Sequence, residues 1–268
     1  LGYWMDWENS YYTMSDENNY TIWLFLKKCH ENGWIYKGHD VMPWCTSCGA
    51  ALSEHEIATE GYKEITHPSI TVKFPLINRP GESLLVWTTT PWTLPSNVAL
   101  CVNAKETYAT AKKDGQTYIL AEALVKNVLG ENAEIVSTCK GQDLVGTEYE
   151  PLFELPVNFG NKKGYRVVAD DYVSLEDGTG IVHIAPAYGD LDIGRRHDLP
   201  VLFSVDLQGD MLPDYRDFEG RFFKEADPLI IRDLKDRGLM YKAGRTKHTY
   251  PFCWRCDAPL LFYSKTSW

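Results

Sequence analysis

The sequence predicts an α+β fold rich in β-structure, with a barrel-like body inserted on a two-strand stalk. Three observations carry this. Short period-two runs recur between turn signals along the middle of the chain. Two Cys-x-x-Cys pairs, Cys45/Cys48 and Cys253/Cys256, bracket that middle with 204 residues between Cys48 and Cys253. Helical periodicity is confined to a few segments.

Taken in order, residues 1–44 are aromatic-rich, and Ser15-Asp16-Glu17 offers caps for a helix from about Asn19 to Asn32. Its residues Ile22 to Leu26 are expected to form a buried stripe, and Gly33 to stop it. Trp34–Lys37 and Val41–Met42 read as strands around a Gly38-His39-Asp40 turn. Ser69–Phe74 alternates with period two, and Ser83–Val86 and Val98–Val102 are apolar runs of buried-strand type. Asp114-Gly115 is a hairpin signal between Thr107–Ala111 and Thr117–Leu120. Ala121–Leu129 reads as a short helix ended by Gly130. Glu134–Thr138 and Tyr165–Ala169 are further strands, and Val173–Glu176 with Ile181–Ile184 is a second hairpin candidate. A helix from Ala226 to Leu239, with Leu229, Ile230, Leu234 and Leu239 facing the body, returns the chain to the second cysteine pair. So many short strands suggest a closed or nearly closed barrel.

The two matched cysteine pairs are each preceded by Pro and an aromatic residue. Together they predict a four-cysteine zinc ribbon, with Cys45, Cys48, Cys253 and Cys256 as ligands. The metal is structural, since four thiolates leave no open position. Closing a flexible loop of 204 residues costs roughly 5 kcal/mol, and structural zinc can supply on the order of 10 kcal/mol. Cys29, Cys101 and Cys139 read as small core residues in a reducing compartment.

Of the 268 residues, 44% are hydrophobic and 24% charged, as in ordinary globular proteins, and no apolar run reaches the length of a membrane span. A net charge of −10 argues against coating duplex nucleic acid, though not against one single-stranded end. There is no Gly-x-Ser-x-Gly elbow, no phosphate loop, no dinucleotide fingerprint and no His-Glu-x-x-His. One constellation remains: the hydroxyl-rich lip Trp87-Thr88-Thr89-Thr90-Pro91-Trp92-Thr93-Leu94-Pro95-Ser96-Asn97, with His183 at a strand end and Asp192 at the head of a helix. Pro91 and Pro95 cannot donate ladder hydrogen bonds, so strand pairing must stop there.

That lip resembles the threonine-rich signature of the editing domain of the isoleucyl-tRNA synthetases, which are class I aminoacyl-tRNA synthetases. Gly178-Thr179-Gly180-Ile181-Val182-His183-Ile184-Ala185-Pro186-Ala187-Tyr188-Gly189-Asp190-Leu191-Asp192 is similar to the second signature of that domain. Trp4-Met5-Asp6-Trp7 and the two cysteine pairs also match the family. Valyl and leucyl relatives carry Arg-Pro after two threonines, where this chain has Thr90-Pro91-Trp92. The stretch Val182–Ala187 looks more like archaeal and type-two bacterial members. His-x-Gly-His and Lys-Met-Ser-Lys-Ser, the adenylate-site signatures, are absent. The chain is therefore expected to be a fragment: residues 1–44 flank the nucleotide-binding domain, 45–66 and 241–268 form the zinc-ribbon stalk, and 67–240 the editing domain.

The resemblance implies hydrolysis of Val-tRNA(Ile), with no catalytic metal, in a cytoplasmic monomer that meets the tRNA acceptor end and belongs to a longer synthetase chain. One methylene is worth only about 1–3 kcal/mol in an apolar pocket, a figure for which these synthetases are themselves the standard example rather than one derived from this chain. Carried over by position, Asp192 would hold the α-ammonium and His183 would wall the side-chain pocket. Thr88, Thr89 and Thr90 would hydrogen-bond the ester, the terminal adenosine and a water. Asn97 would help to position the adenosine or the water, and Trp87 and Trp92 would shape the pocket. Leu191 interrupts the run of acids usual in the family, which makes Asp190 a rival of Asp192. The reading from another class is a non-catalytic zinc-ribbon module that only binds a tRNA end.

Overall fold

The computed structural model describes residues 2–153, 159–215 and 217–268. They fall into two units, one of residues up to Asp40 with Lys265–Trp268, the other Val41–Ser264. In the first, helix α1 spans Asp16–Glu31. The Ser15 hydroxyl caps it, accepting from the Asn18 N–H at 3.3 Å. Gly33 follows in the left-handed region at φ +72°. The expected apolar stripe is not buried: Ile22, Trp23, Leu24, Phe25 and Leu26 are exposed, and Cys29 is the helix's buried residue among those described. Five consecutive residues wrap around a helix and cannot collect on one face. Strand β1, Gly38–Cys45, begins where a turn was expected.

In the second unit, β2 (Ala50–Ala51) pairs with the end of β1, Cys45 opposite Ala50. Helix α2 (Glu54–Glu60) starts with a capping box between Ser53 and Glu56. Strand β3 (Tyr62–Pro75) turns back into β4 (Glu82–Thr88). A 3-10 turn at Pro91–Ser96 leads to β5 (Ala99–Val102). The Asp114-Gly115 hairpin forms as expected, joining β6 (Thr107–Lys113) to β7 (Gln116–Ala121). Both turn residues have positive φ, 50° and 77°, as the right-handed twist of a hairpin favours. Helix α3 (Val125–Leu129), β8 (Glu134–Lys140), helix α4 (Gly141–Leu144), β9 (Arg166–Ala169) and β10 (Val182–Ile184) follow. Helices α5 (Leu191–Arg196) and α6 (Phe223–Asp236) precede β11 (Met240–Pro251) and β12 (Leu261–Ser267).

The result is the expected β-rich α+β class, but not a closed barrel. A six-stranded sheet has the order β11-β3-β4-β7-β6-β8, and a separate three-stranded sheet the order β10-β5-β9. The second hairpin candidate does not form. Its second half, β10, pairs instead with β5, His183 opposite Leu100, and the chain before it turns through Gly178 and Gly180, both at φ +73°. The break between β4 and β5 is the proline-bearing turn, where ladder donors are missing. That turn ends one sheet and starts the other, so it sits at their junction.

The main core lies between the sheets and α6, with Phe74, Leu84, Leu100, Tyr108, Tyr149 and Phe223 all fully buried. The buried face of α6 is Phe223, Ala226, Asp227, Ile230 and Leu234, a helical spacing that admits one carboxylate among apolar residues. Leu229 is only partly buried, and Leu239 lies beyond the helix end.

Candidate active site

An open cleft of about 540 Å³ lies where β4, the proline turn and β10 converge. Trp87, Thr88, Thr89, Thr90, His183 and Asp190 line it, together with Thr93, Tyr172 and Thr179. Its walls also carry Glu176 and Asp177 but, among the described residues, no lysine or arginine, so the site suits a cation-bearing ligand.

The lip is a relay of hydroxyls. Thr88 Oγ1 accepts from the Thr90 N–H at 3.1 Å and lies 3.2 Å from Thr90 Oγ1. Thr90 Oγ1 is in turn 3.2 Å from Thr93 Oγ1. Thr93 meets His183 Nε2 at 3.1 Å and donates its own proton to the Thr90 carbonyl at 2.8 Å. A hydroxyl has one proton. With Thr93's committed to that carbonyl, His183 Nε2 carries the ring proton and donates to Thr93 Oγ1. The other ring nitrogen, Nδ1, is buried without a partner. Burial holds the imidazole down at a pKa of about 4, so it is neutral near pH 7.

Asp190 precedes α5 and turns inward, where one carboxylate oxygen accepts from the Ala185 N–H at 2.9 Å. Burial raises its pKa to about 6, against the lowering effect of that bond. Asp192, two positions on, does not line the cleft. Its side chain is 85% exposed and pairs with Arg195 at 3.3 Å, because a step of two residues rotates a helical side chain by about 200°. Trp92 and Asn97 also lie outside the cleft lining. Trp92 is buried edge-on against Tyr188 and Phe223, ring centres 4.8 and 4.9 Å away. Asn97 is a structural tie: its amide donates to the Ala99 carbonyl at 2.8 Å, and its oxygen accepts from the Tyr149 hydroxyl at 2.6 Å. Thr93 carried no assigned role in the sequence reading, although its spacing of three from Thr90 is the repeat of a 3-10 turn. Two glycines shape the floor. A Cβ on Gly178 would sit 3.3 Å from the Trp87 ring, and one on Gly180 2.5 Å from Ala121 Cβ.

Away from the cleft, the four cysteines converge. Their sulfurs lie within 4.8 Å of one another, with Cys45 and Cys256 at 3.4 Å and Cys48 and Cys253 at 3.9 Å. A tetrahedron of thiolates about 2.3 Å from a zinc ion has edges of about 3.8 Å, so the set fits a metal ion. The Cys48 N–H donates to Cys45 Sγ at 3.3 Å, and Gly49 at φ +63° allows that turn.

Among known proteins, the family profile of class I tRNA synthetases (I, L, M and V) matches residues 1–150. The chain belongs to the class I tRNA synthetases. It is 46% identical to the isoleucine–tRNA ligase of Clostridium novyi (strain NT), over 100% of this chain and 26% of that protein. It is 45% identical to the isoleucine–tRNA ligase of Thermus thermophilus, with the same shares covered, 100% and 26%. The chain thus spans about a quarter of the length of these synthetases. The solved structure of GlLeuRS-CP1 shares its fold, with a TM-score of 0.51 at 14% identity, covering 66% of this chain and 99% of that one. Among the described residues, no helix is long and apolar enough to cross a membrane.

Proposed function

We propose that this chain is the editing unit of an isoleucine–tRNA ligase and hydrolyses the valyl ester of tRNA(Ile). The carrying observation is a cleft with a hydroxyl relay on one wall, a carboxylate on the other and, among the described residues, no lysine or arginine in its lining. An aminoacyl ester brings an ammonium to the carboxylate, and its ester and the one free vicinal ribose hydroxyl to the threonines. Asp190 is the carboxylate that the cleft geometry favours, while the register of the family signature assigns Asp192.

The reaction needs no charged nucleophile from the protein. Water held by Thr88 and Thr90 attacks the ester carbonyl carbon. The tetrahedral intermediate collapses with cleavage of the acyl–oxygen bond, and the ribose oxygen takes up the proton that the attacking water gives up. Positioning and a partly desolvated site supply the acceleration. His183, neutral and tied to Thr93, acts as a wall that limits side-chain size rather than as an acid. Cys45, Cys48, Cys253 and Cys256 would hold a zinc ion that braces the stalk and takes no part in hydrolysis. The domain limits at 44, 66 and 240 belong to the same reading, with the acceptor end entering the 67–240 portion.

Incubation of the chain with Val-tRNA(Ile) is expected to release valine. Intact ester after long incubation with folded protein overturns the proposal, and retention of the tRNA without turnover points to the binding-module reading. Asp190→Asn is expected to abolish release and Asp192→Asn to leave it; the opposite result moves the ammonium site to Asp192.

A further inference from the structure

We propose that Asp227 is a positioning residue: from helix α6 it caps the Pro91–Ser96 turn and so leaves the Thr90 hydroxyl to the relay with Thr88 and Thr93 that lines the cleft. This rests on the hydrolytic reading only for its catalytic consequence; the capping itself does not.

A 3-10 turn opens with N–H groups that have no partner inside it. Here Pro91 has none to satisfy. The Thr93 N–H donates to the Thr90 carbonyl at 3.1 Å. The Trp92 N–H is the group left over. Thr90 stands at the cap position, and a threonine hydroxyl there ordinarily accepts such a bond. It does not do so here. Its Oγ1 is turned between Thr88 and Thr93, 3.2 Å from each hydroxyl. The acceptor comes instead from a residue 135 positions away: the Trp92 N–H donates to Asp227 Oδ1 at 2.8 Å.

The placement of Asp227 on α6 supports this role. It is 4% exposed and occupies a position between Phe223 and Ile230 where the helix otherwise buries apolar side chains. A carboxylate there is costly unless it meets a donor. Burial raises its pKa to about 7, with the Lys224 charge and the Trp92 bond opposing. Lys224 itself stands over the Tyr250 ring at 4.4 Å. Phe223, four residues before Asp227, stacks edge-on with the Trp92 ring at 4.9 Å. One helix face therefore grips both the backbone and the side chain of Trp92, within the turn between Thr90 and Thr93.

The test compares Asp227→Asn, which keeps a carbonyl acceptor, with Asp227→Leu, which removes it. Asp227→Ser, too short to reach Trp92, is the second variant should leucine prevent folding. Asp227→Asn is expected to keep kcat for valine release within about two-fold, and Asp227→Leu or Asp227→Ser to lower it on the order of ten-fold with KM little changed, as loss of positioning does. In a Thr90→Ala background the Asp227 substitution is expected to cost nothing more. A full additional loss in that background, or wild-type kcat in folded Asp227→Leu, overturns the proposal. Hydrogen exchange of the Trp92 amide is read in parallel. It should be protected in the wild type and Asp227→Asn, and unprotected in the other two. If the wild-type chain releases no valine, the hydrolytic reading fails by itself. The amide then decides the capping: loss of protection in Asp227→Leu upholds it, and persistence overturns it.

Discussion

His183 shows how burial decides what a residue can do. Exposed, a histidine titrates near pH 6.5 and is available for acid–base work. At the cleft floor desolvation holds it to about 4, which leaves a neutral donor to Thr93. The same shift predicts a pH dependence of stability. As pH falls, the unfolded chain takes up this proton first, from about 6.5, while the folded chain resists until about 4. The contribution is therefore fully present above pH 6.5 and is lost as pH falls toward 4. His67 is lowered to about 4 as well, chiefly by burial, so the measurement is a difference. Denaturant unfolding of wild type and His183→Gln between pH 4 and 7 should show the variant losing less stability on acidification. Parallel curves would place the protonation elsewhere.

At the scale of elements, the site depends on a backbone that only glycine tolerates. Gly180 lies at φ +73° two residues before β10 begins. A Cβ there would lie 2.5 Å from Ala121 Cβ and 2.8 Å from Leu175. Gly180→Ala combines left-handed strain with overpacking and is expected to destabilise the chain by about 2–4 kcal/mol, read as a lowered Tm in thermal unfolding. An unchanged Tm would mean that the approach of this loop to β7 is not rigid. Element identity was largely legible from the residues: the Asp114-Gly115 hairpin and the Ser15 cap carry their own turn and cap chemistry. The second hairpin was not, because β10 takes its partner from β5 across some 80 residues, and local alternation does not encode that choice.

For the whole molecule, the tertiary structure revises the energetics of the cysteine clasp. Taken along the sequence, the clasp closes 204 residues at roughly 5 kcal/mol. In the fold, β3 and β11 already bring the two ends together, pairing from Tyr62 opposite Pro251 onward. Given that ribbon, the sulfurs close only about 14 further residues, a cost of about 2.3 kcal/mol. A metal at this site thus braces the cysteine knuckle rather than holding the body shut. Removing it with a chelator is expected to expose the amides of residues 45–61 to exchange while the main unfolding transition shifts by only a few degrees. Loss of the cooperative transition on chelation would show that the body depends on the metal.

The sequence by itself determined the chemistry at hand: which residues carry hydroxyls, where prolines forbid pairing, and which cysteines are spaced for one ion. These follow from bonding and backbone limits that act over a few residues. Only the tertiary structure decided which of those groups face one another. It turned Asp190 inward and Asp192 out, assigned Asn97 to Tyr149, and supplied Asp227 as the cap that Thr90 does not provide. Such choices rest on helix rotation and on contacts across 50 to 135 residues, where no local pattern carries the information.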